Sequence, residues 1–192
     1  AIYQKYLRPI LPEQIDGMAF LETYGETADR VTRVEPDARY TPRAAADHHV
    51  LENARVEAFV AELRTALANS APDTPARASR NAAIIRAGTL MLESHRSYGE
   101  NAHLGCSETD LLVELVMQRG PEKGFYGAKI TGGGSGGTVA VLADTAAVAR
   151  GDVTEICTEY QRRTGLAPLV LAGSSPGSAE TGAMKVPLPP KK

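Results

Sequence analysis

The chain has 192 residues, room for one generous domain or one domain with a trailing subdomain. Hydrophobic residues make up 43% but aromatics only 5%, and much of the apolar share is alanine, which favours helices packed on a modest sheet over an aromatic-rich β-sandwich. The net charge of −2, with mixed signs, leaves no electrostatic footprint for nucleic acid, and no apolar run is long enough to span a bilayer.

No signal peptide is recognisable, and Cys106 and Cys157 read as reduced core thiols of a cytoplasmic protein. The chain opens at Ala1 in ordinary globular sequence, which fits a processed methionine or an internal fragment. Residues 1–46, with prolines at 9, 12, 36 and 42, read as a connecting segment. It holds a short helix over Gly17–Tyr24, closed by Gly25, and a weak strand pattern between Val31 and Tyr40.

A domain over residues 47–184 follows. Val56, Phe59, Val60, Leu63 and Leu67 recur at helical spacing and predict one apolar face, with Asp47 as N-cap and a loop at Asn69–Pro75. A second helix is predicted over about residues 77–95, with Ile84, Gly88, Met91 and His95 on one stripe. A loop with Gly99 and Gly105 leads to a third helix that opens on Ser107-Glu-Thr-Asp110, a capping-box pattern, and buries Leu111, Leu112, Leu115 and Val116.

After Gly120 and Pro121 the period becomes extended. Tyr126–Ile130 and Thr138–Ala143 are predicted strands around the run Thr131-Gly-Gly-Gly-Ser-Gly-Gly137. Helix returns over about residues 145–164, broken near Gly151, with Val153, Ile156, Cys157 and Tyr160 on one face and Gly165 at its end. Leu169–Ala172 is a predicted final strand, and residues 185–192 a flexible tail. Together these elements predict an α+β fold: three or four antiparallel strands in one sheet, with helices on one face.

Gly132–Gly137 satisfies the spacing G-x-G-x-x-G, but a dinucleotide fingerprint needs a helix after the loop to hold the pyrophosphate. Here Thr138-Val-Ala-Val-Leu-Ala143 continues as a strand, and no Gly-Lys-Ser/Thr closes a Walker loop. A strand–glycine loop–strand unit remains. A plain hairpin needs one or two glycines, and five of these six residues lack a Cβ, so the backbone can approach another group and its N–H groups can cradle an anion.

The stretch Gly127-Ala-Lys-Ile-Thr-Gly-Gly-Gly-Ser-Gly-Gly137 resembles the third motif of the GHMP kinases. Three further stretches are similar to the galactokinase-like branch: His48-His49-Val-Leu-Glu52-Asn-Ala-Arg55-Val56, Met91-Leu-Glu-Ser94-His95-Arg-Ser97, and Tyr160 through Gly165 with Gly182-Ala183. They fall in the family's order over roughly residues 40–184. Two features depart from galactokinases proper. Tyr98-Gly-Glu-Asn-Ala-His-Leu-Gly-Cys106 stands where they carry an Asp-Asp-Tyr/Phe stretch, and Ser135 stands where they carry Phe. The Leu104–Asp110 segment and the Phe20–Thr32 lead-in look closer to arabinokinase-like relatives.

The resemblance implies a ferredoxin-like C-terminal kinase domain whose N-terminal partner domain supplies the phosphate loop, an aspartate beside the sugar hydroxyl and most sugar contacts. It implies an ATP-dependent kinase of a galactose- or arabinose-type sugar, acting at the anomeric hydroxyl. ATP and Mg²⁺ would be held mainly by the N-terminal domain, and no catalytic residue and no metal ligand are expected in this chain. Thr131, Gly132, Gly133, Gly134, Ser135, Gly136 and Gly137 are the implied nucleotide-side contacts, with Lys129, Ser94 and His95 as substrate-cleft candidates. His95 reads equally as a core histidine finishing its stripe. The chain on its own is expected to be silent. A non-catalytic sugar or ATP sensor of the same fold, another GHMP small-molecule kinase, and a domain that forms homo-oligomers through its sheet are the alternatives.

His48, His49 and Glu52 lack the one-face spacing of a metal pair, and Cys106 near His103 lacks a third orienting group for thiol catalysis.

Overall fold

Two long helices and one β-hairpin carry the architecture. The computed structural model describes residues 2–28, 31–69 and 74–173, together with Glu180 and Gly182. The predicted tail, Ala183 of the closing pattern and residues 70–73 of the predicted loop lie outside the described residues.

The chain begins with a π-helical turn (Tyr3–Leu7) and a 3-10 turn (Arg8–Ile10). Strand β1 (Ile15–Asp16) then pairs antiparallel with β2 (Arg39–Tyr40), and helix α1 (Gly17–Tyr24) lies between them, ending at Gly25 as its sequence predicts.

Helix α2 runs from Pro42 to Ala68, starting five residues before the predicted cap at Asp47. Proline at the first helical position brings a pre-set φ, and its missing N–H is one that a helix start leaves unpaired anyway. Pro42 therefore begins the helix instead of preceding it, and the 46/47 boundary falls inside α2. Asp47 is engaged elsewhere: it accepts hydrogen bonds from Tyr3 Oη at 2.8 Å and Arg8 Nε at 2.8 Å, tying the N-terminal turns to α2.

Helix α3 (Thr74–Glu100) packs along α2 and continues past the predicted end, with Gly99 in its last turn. The α2 stripe is a second correction. Val56 is 54% exposed and Leu67 74%, whereas the buried positions are His48 and Ala66 on α2 and Ala83, Ala87, Gly88, Met91, Ser94 and Ser97 on α3. Phe59 and Leu63 of the stripe are half-buried, so only part of the predicted face packs inward.

Helix α4 (Ser107–Met117) has Cys106, not Ser107, as its N-cap. The Asp110 N–H that a capping box would give to Ser107 goes instead to the Cys106 carbonyl at 3.0 Å, and the Ser107 hydroxyl turns to Glu108. No side chain caps this end.

Strands β3 (Phe125–Thr131) and β4 (Thr138–Ala143) form an antiparallel hairpin, with Thr131 opposite Thr138, Lys129 opposite Ala140 and a bulge between Phe125 and Gly127. Helices α5 (Thr145–Ala149) and α6 (Asp152–Thr164) follow, separated at Gly151 (φ +84°), and Gly165 (φ +75°) closes α6. Asp144 caps α5 by accepting the Ala147 N–H at 2.7 Å.

The core joins Val113, Leu115 and Val116 of α4 to Phe125 and Ala128 of β3, and to Ala147, Ile156 and Tyr160 beyond the hairpin. Successive strand residues point to opposite faces. Ala128 meets this core while Lys129 reaches α2, so helices flank β3 from more than one side and not from a single face. Among the described residues the strands form two separate two-stranded sheets, not one sheet of three or four. Residues 166–173 form no regular element, and the predicted strand Leu169–Ala172 is absent. Leu169 is 83% exposed, and among the described residues no strand pairs with this run. No helix among the described residues is long and apolar enough to cross a membrane.

Candidate functional site

The glycine loop joins the ends of β3 and β4, and α3 packs against the hairpin. Gly88 and Gly127 abut. A Cβ on Gly88 would lie 1.7 Å from the Tyr126 carbonyl oxygen, and one on Gly127 2.5 Å from Gly88 Cα, so the helix backbone rests directly on the strand backbone. Further along the same contact, the Ile130 N–H points away from β4 and donates to His95 Nδ1 at 3.3 Å. That bond puts the imidazole proton on Nε2, which faces Asp110 Oδ1 at 3.4 Å. Burial holds the His95 pKa below the ordinary histidine value, against Asp110 and with Lys129. His95 therefore sits neutral beneath β3, splinting it to α3 and to the start of α4.

Lys129 and Ser94 come together in a different place. Lys129 Nζ donates to Glu52 Oε1 at 3.0 Å, and the Ser94 hydroxyl donates to the same oxygen. Arg55 Nη1 takes the other carboxylate oxygen at 2.9 Å. Burial opposes ionisation of Glu52, but the bonds from Ser94, Lys129 and Arg55 together outweigh it and hold the carboxyl below its usual range. This cluster forms the polar floor of a groove of about 270 Å³ whose walls include Val56, Phe59, Leu90 and Met91. Ser94 and Lys129 line the groove, and His95 does not. The ammonium of Lys129 is directed at Glu52.

The loop itself has an unusual backbone. Gly132, Gly134, Ser135, Gly136 and Gly137 all have positive φ, Ser135 at +55° despite its side chain. Gly134 is also hemmed in: a Cβ there would come 2.6 Å from Leu104 Cβ and 2.8 Å from Tyr98 Cε1. Gly133 is constrained by neither effect: its φ is not positive, and a Cβ there would meet no atom within 4 Å. Two hydrogen bonds tie the loop down: Tyr98 Oη donates to the Gly132 carbonyl at 2.8 Å, and the Ser135 N–H donates to the Leu104 carbonyl at 2.6 Å. The result is a loop tied down at Gly132 and Ser135, with open space where Cβ atoms on Gly133, Gly136 and Gly137 would lie.

Glu52, Tyr98 and Leu104 are the members that sequence reasoning missed. Glu52 stood within a motif but without a partner, and Tyr98 and Leu104 lay in the segment that departs from galactokinases.

Comparison with known proteins assigns the chain. It is 35% identical over 182 residues, 92% of its length, to L-arabinokinase of Arabidopsis thaliana. It is 36% identical over 89 residues to the galactokinase of Chloroflexus aggregans and 34% identical over 101 residues to that of Streptomyces coelicolor, covering 45% and 53% of the chain. The chain is a galactokinase- and arabinokinase-like GHMP sugar kinase region. No family model matches it. The kinase region spans 16% of the arabinokinase and 22% and 21% of the two galactokinases.

Proposed function

We propose that this region is the C-terminal, ferredoxin-like part of an ATP-dependent kinase that phosphorylates a galactose- or arabinose-type monosaccharide at its anomeric hydroxyl. The observation that carries the reading is the open side of the glycine loop. Gly133 lacks a side chain although neither its φ nor its neighbours exclude one, which fits a backbone that a phosphate or a phosphate-holding loop approaches closely.

On this reading the backbone of Thr131–Gly137 lies beside the nucleotide phosphates, where N–H groups already in position stabilise charge without reorganising. ATP supplies the phosphoryl group. Mg²⁺ would enter with ATP and on residues of an N-terminal kinase domain. That domain would also provide the base for the sugar hydroxyl, and a cytoplasmic location would give access to ATP.

The test compares the chain alone with the chain joined to an N-terminal kinase domain of arabinokinase or galactokinase type. Each is given ATP, Mg²⁺ and galactose or arabinose, and sugar 1-phosphate is followed by phosphorus NMR. The chain alone should be silent and the joined protein active. A joined protein that binds sugar and nucleotide but makes no product would point instead to a non-catalytic sensor.

A further inference from the structure

The ladder of the β3–β4 hairpin stops at Thr131 and Thr138, and the glycine loop hangs beyond it. Six residues of which five are glycines would sample many conformations if nothing else held them. The two bonds from Tyr98 and Leu104, and the seating of Gly134 between those residues, come from outside the hairpin.

Both holding residues are themselves held. Tyr98 sits in the last turn of α3 with its ring edge-on to His48 of α2, centroids 5.3 Å apart. His48 is buried and its Nδ1 meets Ser97 Oγ at 3.0 Å, while Ser97 Oγ also accepts from Asn101 Nδ2 at 2.9 Å. The Leu104 N–H donates to the Tyr98 carbonyl at 3.1 Å. Its neighbour His103 adopts a positive φ of +55°, with Nε2 3.0 Å from Thr41 Oγ1. A continuous set of contacts thus runs from α2 through Tyr98 and Leu104 to the loop.

We propose that Tyr98 and Leu104 are positioning residues that clamp the glycine loop, fixing Gly132 and Ser135 so that Gly133, Gly136 and Gly137 face open space. Any catalytic value of the clamp rests on the cradle reading above, but its existence does not. Gly132 is held by its carbonyl and Ser135 by its amide, which leaves the outer face of the loop ordered without covering it. Such pre-ordering is what a site acting by backbone electrostatics needs.

The test uses the full chain. Tyr98→Phe keeps the ring against Gly134 and His48 and removes the bond to Gly132, and Tyr98→Leu removes the ring as well. Amide exchange by NMR reads the Ser135 N–H, with the Ile130 N–H on His95 as the control for global stability. The clamp predicts roughly three- to tenfold faster exchange at Ser135 in Tyr98→Phe, the net worth of one hydrogen bond, and a larger rise in Tyr98→Leu. Loop resonances should shift while Ile130 stays unchanged. Unchanged Ser135 exchange in both variants overturns the proposal, as does a rise at Ser135 matched by Ile130, which would mark Tyr98 as a general support of the fold.

Gly133→Ala touches none of these contacts and should leave Ser135 protected. Its effect on phosphoryl transfer tests the cradle separately. A clamp that responds as stated survives a failed kinase assay, and one that does not respond falls whatever the kinase does.

Discussion

Glu52 and Lys129 lie 77 positions apart, and their side chains meet at 3.0 Å on the floor of the groove, with Ser94 and Arg55 completing the carboxylate's shell. Both partners are largely buried, with side-chain exposures of 21% and 24%. Lys129→Met removes one of the two cations on the partly desolvated Glu52, leaving Arg55 on the other oxygen, and should cost roughly 1–3 kcal/mol in urea unfolding. Glu52→Gln should cost less, because the amide still bonds Ser94 or Arg55. The double variant should lose less than the sum of the two single losses. Additive losses would show that the pair is not coupled.

The backbone contact of α3 with β3 makes a second prediction. Alanine is the better helix former by about 1 kcal/mol in a helix interior. Gly88→Ala nevertheless drives a methyl into the Tyr126 carbonyl, an overpacking that should cost about 3 kcal/mol or more. Thermal unfolding would measure it, and a neutral or stabilised variant would contradict the packing described above.

Burial holds the His48 and His95 pKa values below that of a free imidazole, for each against one nearby carboxylate. Below the ordinary value of about 6.5 the unfolded chain therefore binds more protons than the folded one. The stabilising contribution is complete above that value and is lost as pH falls through it toward the lower folded values. Glu52 and Asp47, both held below the ordinary carboxylate range, add a further loss only at more acidic pH. Urea midpoints at pH 7.5 and 5.5 should differ, and the difference should shrink in His95→Asn, which keeps an acceptor for the Ile130 N–H. In a catalytically competent kinase, His95→Asn should lower stability with little effect on turnover. A large loss of turnover at unchanged stability would move His95 into the reaction.

Elements whose signals are local were legible in the sequence. Gly17–Tyr24 has its closing glycine, Thr138–Ala143 is a β-branched and apolar run, and Gly151 and Gly165 punctuate the last helices. The misreadings have non-local causes. Asp47 looked like a cap because its partners, Tyr3 and Arg8, lie far back in the chain. Ser107 looked like a cap because nothing local shows that the helix already opens on Cys106. The α2 stripe has the right period, but packing against α3 decides which of its positions are buried. The glycine run was legible as a loop, whereas its clamp was not. Tyr98 and Leu104 reach it only once α3 lies against β3.

The most direct test of the cradle is Gly133→Ala. Its φ suits alanine and its surroundings are empty, so the folded chain should be unharmed and even stabilised by about 0.4–1 kcal/mol through the unfolded state. In the chain joined to an N-terminal kinase domain of arabinokinase or galactokinase type, the cradle predicts unchanged or raised thermal stability and at least a tenfold fall in the rate of sugar 1-phosphate formation, or about 1.4 kcal/mol of lost transition-state stabilisation. Wild-type turnover by a stably folded Gly133→Ala protein would contradict it.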